Sequence, residues 1–476
     1  MSTVSSAGIR TAARAMTERT RSLDTAVAHA RRFLDGLDDR HVDATASATA
    51  LRDVLGGPMP ECGEDPDAVI DALATGADPG LVATAGPRHF GFVVGGSVPA
   101  ALAADWLVCA WDQDPAFHSL SPAGAAIEEI AGEWIVEMLG LPSAATVGFV
   151  TGGQGANTTC LAAARHRVLE RAGWDVERDG LADAPRVRVF TGRQAHVTIY
   201  RSLRLLGLGD AAVVIVEADE QGRMLPQALE AALAGGDGPA IVCVQAGNVA
   251  TGAFDPFGAI ADLCRDHGAW LHVDGAFGLW AAAVPGLQHL TAGLARANSW
   301  AVDAHKWLNV PYDVAMAIVD DPAAHVGSMS LKGPYLVASA EQRDSSSYVP
   351  ESSRRARAVP VYAALRSLGR EGVIAIVERN CAQARRMAER LTRDVDGAQV
   401  LNDVVLNQVL ARFPGGDDAN RAIIAEVQRD GTCWVGGTQW QGEHVMRVSF
   451  SNWSTTSDDV DRSAAAIAAA ARVAAF

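Results

Sequence analysis

Six short apolar runs recur through the middle of the chain, separated by stretches with helical periodicity. They are VRVFTG (187–192), AAVVIVEA (211–218), AIVCVQAG (240–247), WLHVDGAF (270–277), SWAVDAHK (299–306) and VAMAIVD (314–320). Segments such as PQALEAALA and FGAIADLCRDHG lie between them. Runs that are apolar at nearly every position predict strands buried on both faces, and intervening helices predict a mostly parallel central sheet covered by helices. Ligands bind such sheets beyond the carboxyl ends of the strands. Gly192, Gly247, Asp274 and Lys306 all fall at those ends.

Around this core the pattern changes. Residues 9–39 carry Ala12, Ala15, Val27, Ala30 and Phe33 at helical spacing, a helix for its own protomer or for a partner chain. Residues 43–80 read as a linker with small helices. Gly95, Gly96 and Pro99 mark a turn into a helix at 100–110, and a second helix at 123–139 sets Ile127, Ile130, Trp134 and Met138 on one face. The stretch 328–357 turns polar without periodicity, as a functional loop or lid does. Helices resume after Val359, followed by strand-like 405–413 and 444–452 with a helix near 420–430 between them, and an Ala-rich terminal helix. The expected division is a helical arm at 1–88, a large α/β domain at 89–365 and a small C-terminal α/β domain at 366–476.

Composition narrows the function classes. A net charge of −16 argues against a nucleic-acid binder, with Arg354, Arg355 and Arg357 the best local basic patch. No run approaches the roughly 18 apolar residues of a membrane span, and no secretory signal is visible. Seven scattered cysteines without C-x-x-C spacing fit buried thiols in a reducing cytoplasm.

The chemistry gathers at the strand ends. FVTGGQGANTT opens a helix through Gly152, Gly153 and Gly155. The free N–H groups and the dipole of a helix start favour a phosphate, although such a turn also occurs without one. It has neither the dinucleotide fingerprint nor a P-loop lysine. Lys306, followed by Trp307 and Leu308, suits an amine kept neutral by burial, and Asp274 suits a partner for a pyridinium nitrogen or a strand-end cap. Together they suggest a pyridoxal phosphate (PLP) site, with Lys306 forming the Schiff base. Ala276, two residues along from Asp274, is small enough for a flat ring. His196 either stacks on that ring or is solvated, and His305 is placed to reach the phosphate or a substrate carboxylate. A metal held by His196, His272 and His305 has no supporting Cys or Glu spacing.

HVDGAFG, DAHKW, TGGQGAN, WLNVPYD and the late MRVSFSNWSTTSDDVDRS resemble the group II PLP-dependent amino-acid decarboxylases, the family of the aromatic-L-amino-acid and glutamate decarboxylases. The resemblance runs from about Gly86 to the C-terminus and implies the aspartate-aminotransferase fold, type I. It makes Lys306 the Schiff-base lysine, Asp274 the pyridine partner, Ala276 the packing residue and His196 the stacking histidine. Gly152, Gly153 and Gln154 would lie at the phosphate with His305 nearby, and Phe92 and Val94 would line an apolar substrate pocket. It also implies a homodimer with active sites between the chains, which turns the N-terminal helix into a dimer arm. Two departures stand out. QAGNVATGAFD, with Asn248 and Thr251, replaces a Thr/Ser-rich turn, and the mobile-loop tyrosine that returns a proton falls on Ser345, with Tyr348 as first substitute and Tyr335 as second. Loss of that tyrosine is linked in relatives to oxidative deamination. The expected reaction is decarboxylation of an aromatic or apolar aliphatic L-amino acid to its amine, with aldehyde formation or another fold-type-I reaction as the alternative.

Overall fold

The computed structural model describes residues 6–330 and 342–474. The chain opens with α1 (Ser6–Asp35), α2 (Ala48–Leu55) and α3 (Pro66–Ala77), then α4 (Pro99–Trp111) and α5 (Pro122–Met138). The central region follows as β1 (Thr146–Val150), α6 (Gly153–Arg171), α7 (Val176–Asp179), β2 (Arg188–Gly192), α8 (Val197–Leu205) and β3 (Val213–Val216). It continues with α9 (Pro226–Ala234), β4 (Ala240–Gln245), α10 (Phe257–Asp266), β5 (Trp270–Asp274), β6 (Ser299–Asp303), β7 (Ala315–Val319) and α11 (Pro322–Met329). The C-terminal part holds α12 (Ala358–Asp394), β8 (Gln399–Val400), β9 (Gln408–Arg412), α13 (Gly416–Asp430), β10 (Gly436–Trp440), β11 (Glu443–Ser449) and α14 (Ser457–Ala474).

Seven strands form the main sheet in the order β1-β7-β6-β5-β4-β2-β3. β7 runs antiparallel to both neighbours, and the pairs from β6 to β3 are parallel. Every residue of β4, β5, β6 and β7 is buried. The period of two explains why these strands read as continuous apolar runs. Val242 and Val244 join the core shared with α5, α9 and α10, whereas Ile241 and Cys243 join the one shared with α6 and α8. Each large aliphatic side chain so buried contributes about 1.5–3 kcal/mol. The smaller sheet, β10-β11-β9-β8, is antiparallel throughout.

Several expectations change. β1 lay unread, mostly just before the Gly-rich phrase, and the runs at 211–218 and 270–277 shorten to Val213–Val216 and Trp270–Asp274. On α5 the buried stripe is Ala125, Glu128, Ala131, Gly132 and Ile135, and Trp134 is only half-buried against Tyr362. The small residues bring α5 close to β1: a methyl at Gly132 would stand 3.2 Å from Val147 Cβ. The 365/366 boundary falls inside α12, which packs on α4 and α5 at one end and on β9 and α14 at the other. α12 breaks at Gly369 (φ 61°), close to that boundary. Cys62 and Cys109 are exposed, while the other five thiols are buried. The arginines expected to form a basic patch are paired, Arg354 with Glu128, Arg355 with Asp105 and Arg357 with Asp313.

Candidate active site

Parallel pairing sets Asp274 between Gln245 of β4 and Ala301 of β6, at the carboxyl edge of the sheet. Its Oδ1 accepts the Ala276 N–H at 3.3 Å and its Oδ2 accepts Asn157 Nδ2 at 3.2 Å. Ala276 therefore lies in the turn after β5 rather than on the strand, where its carbonyl takes the Asp303 N–H at 2.9 Å.

β6 ends at Asp303, and a tight turn then carries His305 and Lys306 back across the site. Asn309 staples that turn: its Oδ1 accepts the N–H groups of Gly96 (2.7 Å) and Trp453 (3.0 Å), and its Nδ2 donates to the carbonyls of Trp307 (2.8 Å) and Ser451 (3.0 Å). The segment bearing Phe92 and Val94 thereby lies against the lysine turn. A methyl at Gly95 would run into the Lys306 carbonyl, and one at Gly91 into the Trp434 ring. Between these clamps Phe92 (φ 56°) and Val93 (φ 60°) are held in left-handed backbone, which costs a non-glycine residue roughly 1–3 kcal/mol. Phe92 is 69% exposed and stacks on Trp434, with ring centroids 5.4 Å apart; Val94 is half-buried.

Lys306 Nζ pairs with Asp303 Oδ2 at 2.9 Å, with His305 Nε2 standing 3.5 Å from the other oxygen, which has no hydrogen-bond partner. Sequence reasoning missed Asp303, although its position three residues before the lysine and at the last place of a strand was a readable signal. It sits against the start of α6, where a methyl at Gly153 would stand 2.9 Å from its Oδ2. α6 opens at Gly152 (φ 122°) with no side-chain cap. An uncapped helix start under a glycine backbone is a place for an anion. Gln154 turns its side chain away toward α8, giving Nε2 to Ser202 Oγ at 2.8 Å and leaving its Oε1 unpartnered.

His196 caps α8 and is half-buried, with Nδ1 2.8 Å from Thr198 Oγ1. Burial pushes its pKa down; the charge of Asp274 opposes that shift, and Lys306 and Arg447 add to it. His305 is lowered mainly by burial, against Asp303, and its Nδ1 lies 3.0 Å from the Val314 carbonyl. Arg447 of β11 was also missed. Burial holds its guanidinium below the ordinary value, and it donates to the Val249 carbonyl at 3.1 Å. No spacing in the sequence connects β11 with β5.

The structure does not bring every candidate to this place. The Tyr348 ring lies 5.2 Å from that of His325, edge-on, with the Arg343 guanidinium 3.9 Å over it, beside edge strand β1. Its carbonyl accepts His325 Nε2 at 2.9 Å. Ser345 is buried, and Tyr335 lies outside the described residues. A different phenol adjoins His305: the Tyr312 ring is 4.4 Å from its ring. Tyr312 is 59% exposed as a whole, yet burial of its phenol, and then the charge of Asp303, push the pKa up to about 12. Asn248 and Thr251 shape the turn after β4: Asn248 Oδ1 accepts two backbone N–H groups, and Thr251 Oγ1 donates to the Gln221 carbonyl. Among the described residues no cluster of His, Cys, Asp or Glu could hold a metal, and no helix is long and apolar enough to cross a membrane.

A lysine amine, a carboxylate on the next strand and an uncapped glycine turn fit a cofactor with a carbonyl, a ring nitrogen and a phosphate. The comparisons agree. The family profile described as pyridoxal-dependent decarboxylase conserved domain matches residues 50–413. The aromatic-L-amino-acid decarboxylase of Bacillus atrophaeus is 26% identical over 448 residues, 90% of each chain. The L-2,4-diaminobutyrate decarboxylase of Rhizobium meliloti (strain 1021) is 29% identical over 461 residues, 91% of this chain and 90% of that one. The solved structure of Oryza sativa TDC with PLP and tryptamine shares the fold, with a TM-score of 0.88 at 24% identity over 99% of both chains. The chain belongs to the pyridoxal-dependent decarboxylase family and is a PLP-dependent amino-acid carboxy-lyase.

Proposed function

We propose that this enzyme releases carbon dioxide from an L-amino acid with an apolar side chain, aromatic or branched aliphatic, and returns the amine. The observation that carries this reading is the delivery of Asp274 and Lys306 by adjacent parallel strands beside the uncapped start of α6. When bound, PLP supplies an electron sink for the pair left behind as the carboxylate departs. Lys306 is its attachment point, Asp274 meets the ring nitrogen, and Ala276 and His196 bracket the ring. The backbone at Gly152, Gly153 and Gln154 takes the phosphate, with His305 beside it. Arg447, a half-buried cation whose charge reaches His196, steers the substrate carboxylate. Phe92 and Val94 give the side-chain pocket an apolar wall, which favours apolar substrates over diaminobutyrate. A phenol then gives its proton to the α-carbon and regains one from water. Tyr312 is better placed for this than Tyr348, whose ring is engaged by Arg343 and His325.

The same reading makes the enzyme a homodimer. A cavity of about 820 Å³ between α1, α4 and Trp453 is lined by Phe33, Leu34, Leu102 and Trp106, and suits the arm of a second chain. Sedimentation showing only monomers at micromolar concentration would remove that part.

The second reading is oxidative: with dioxygen as the oxidant and water supplying the carbonyl oxygen, carbon dioxide and ammonia leave, hydrogen peroxide forms and an aldehyde remains. Ser345 at the loop position favours it. The test incubates PLP-loaded enzyme with a panel of L-amino acids and measures carbon dioxide, amine, aldehyde, ammonia and peroxide. One carbon dioxide per amine supports decarboxylation. Aldehyde with ammonia and peroxide replaces it with the second reading, and a protein that takes up no PLP ends both.

A further inference from the structure

Below the floor of the site, a single buried path of side chains runs from β5 to His196. Trp270, His272 and Asp274 are alternate residues of β5 and share the face under α6. Trp270 Nε1 donates to Ser299 Oγ at 2.9 Å, and the same oxygen lies 2.9 Å from His272 Nδ1. His272 Nε2 is 2.9 Å from Asn157 Oδ1. The Asn157 amide nitrogen then reaches two acceptors, Asp274 Oδ2 at 3.2 Å and Thr198 Oγ1 at 3.1 Å. Thr198 Oγ1 lies 2.8 Å from His196 Nδ1. His272 and Ser299 are fully buried, and Asn157 is 1% exposed.

Each link has one allowed direction. The indole can only donate and the carboxylate can only accept. Ser299 Oγ therefore accepts from the indole, and its own proton is available to His272 Nδ1 when that nitrogen is unprotonated. His272, neutral because burial drives its pKa down to about 3, then carries its proton on Nε2 and gives it to Asn157 Oδ1. A flipped Asn157 amide would set its oxygen against the Asp274 carboxylate, acceptor against acceptor, so the amide is fixed with Nδ2 toward Asp274. Thr198 Oγ1 receives one Asn157 proton and passes its own to His196 Nδ1. The Thr198 N–H points at the same nitrogen, 3.4 Å away. Nδ1 is thus an acceptor, and neutral His196 keeps its proton on Nε2.

We infer that Asn157 is a positioning residue that holds Asp274 for the ring nitrogen of the cofactor and, through Thr198, fixes His196 as its Nε2–H tautomer, with His272 orienting the amide. The inference rests on the placement of Asp274 and His196 against PLP proposed above. One residue of α6 thereby sets the hydrogen-bonding state of two groups of the ring site. The Nε2–H of His196 is left as a donor.

The experiment uses full-length protein labelled with 15N-histidine, with His196 assigned by His196→Gln. Cofactor-free wild type is expected to show protonated Nε2 and unprotonated Nδ1 at His196. In Asn157→Leu the two tautomers mix, and the Kd for PLP, read by absorbance titration, rises about tenfold or more, the size of effect seen when the groups orienting a ligand are removed. Either readout unmoved in that variant overturns the inference. If Asn157→Leu does not fold, Thr198→Val keeps the shape, leaves Asp274 bonded to Asn157 and removes the hydroxyl donor, so the share of the Nδ1–H tautomer should rise although the longer backbone N–H contact remains. A tautomer balance in Thr198→Val unchanged from wild type is equally fatal. Failure of wild type to bind PLP would instead remove the proposed function, so the two failures are distinguishable.

Discussion

Asp274, His272 and Ser299 on the floor of the site are joined by hydrogen bonds that run through Asn157 of α6, whereas the stretch 342–357 that returns past the site is fastened by charges. Arg354 forks onto Glu128 at 2.6 and 2.9 Å, with both side chains buried; Arg355 reaches Asp105, and Arg357 reaches Asp313 beside Tyr312. The floor gains its precision from donors and acceptors that have one arrangement. The rim gains its position from ion pairs to remote helices and turns. A fault in the floor should therefore appear in the chemistry, and a fault in the rim in stability.

The hardest break is Lys306→Ala. Steady-state amine production should fall by about a thousandfold or more, since the proposed attachment point is lost, while the melting temperature moves little. On the rim, Glu128→Ala leaves Arg354 buried and unpaired; chemical denaturation should show a loss of about 3–5 kcal/mol. A floor variant that mainly unfolds, or a rim variant with full stability and no activity, would reverse the contrast.

A third test uses pH. Asp255 is fully buried after β4, and its carboxylate accepts the Met224 and Gln245 N–H groups at 2.7 Å each. Burial raises its pKa to about 6 from 3.8, despite those bonds. Between these values the unfolded chain has released a proton that the folded chain retains. Stability from this group is thus present below the unfolded pKa and is lost as pH rises toward 6, by on the order of 3 kcal/mol. Urea unfolding between pH 4 and 6.5 should show that decline in the wild type relative to Asp255→Asn; parallel profiles would refute it. The smallest effect belongs to Tyr348→Phe. Its ring contacts survive, so turnover and the ratio of amine to aldehyde should stay within about twofold, in line with a substitution that removes no buried bond. A switch to aldehyde would return Tyr348 to the chemistry.

The same contrast separates what was legible in the sequence. Strand-end delivery of Asp274 and Lys306 could be read because each sits at the end of its own apolar run. His272 and Asn157 could not be paired, because their contact joins a strand to a helix through the fold, 115 positions apart. The rim was legible only as a polar stretch. Arg354 read as surface charge because its partner lies on α5, 226 positions away. Tyr348 looked available because nothing nearby in the chain announces Arg343 and His325 as its neighbours.

The clamps on either side of Phe92 set the terms for redesign. Gly91 is filled by the Trp434 ring and Gly95 by the Lys306 carbonyl, so neither accepts a side chain without moving Trp434 or the lysine itself. A mutagenesis library aimed at new substrates should keep both glycines and randomise Phe92 and Val94. Larger side chains at 91 or 95 would select for damaged enzymes rather than altered ones.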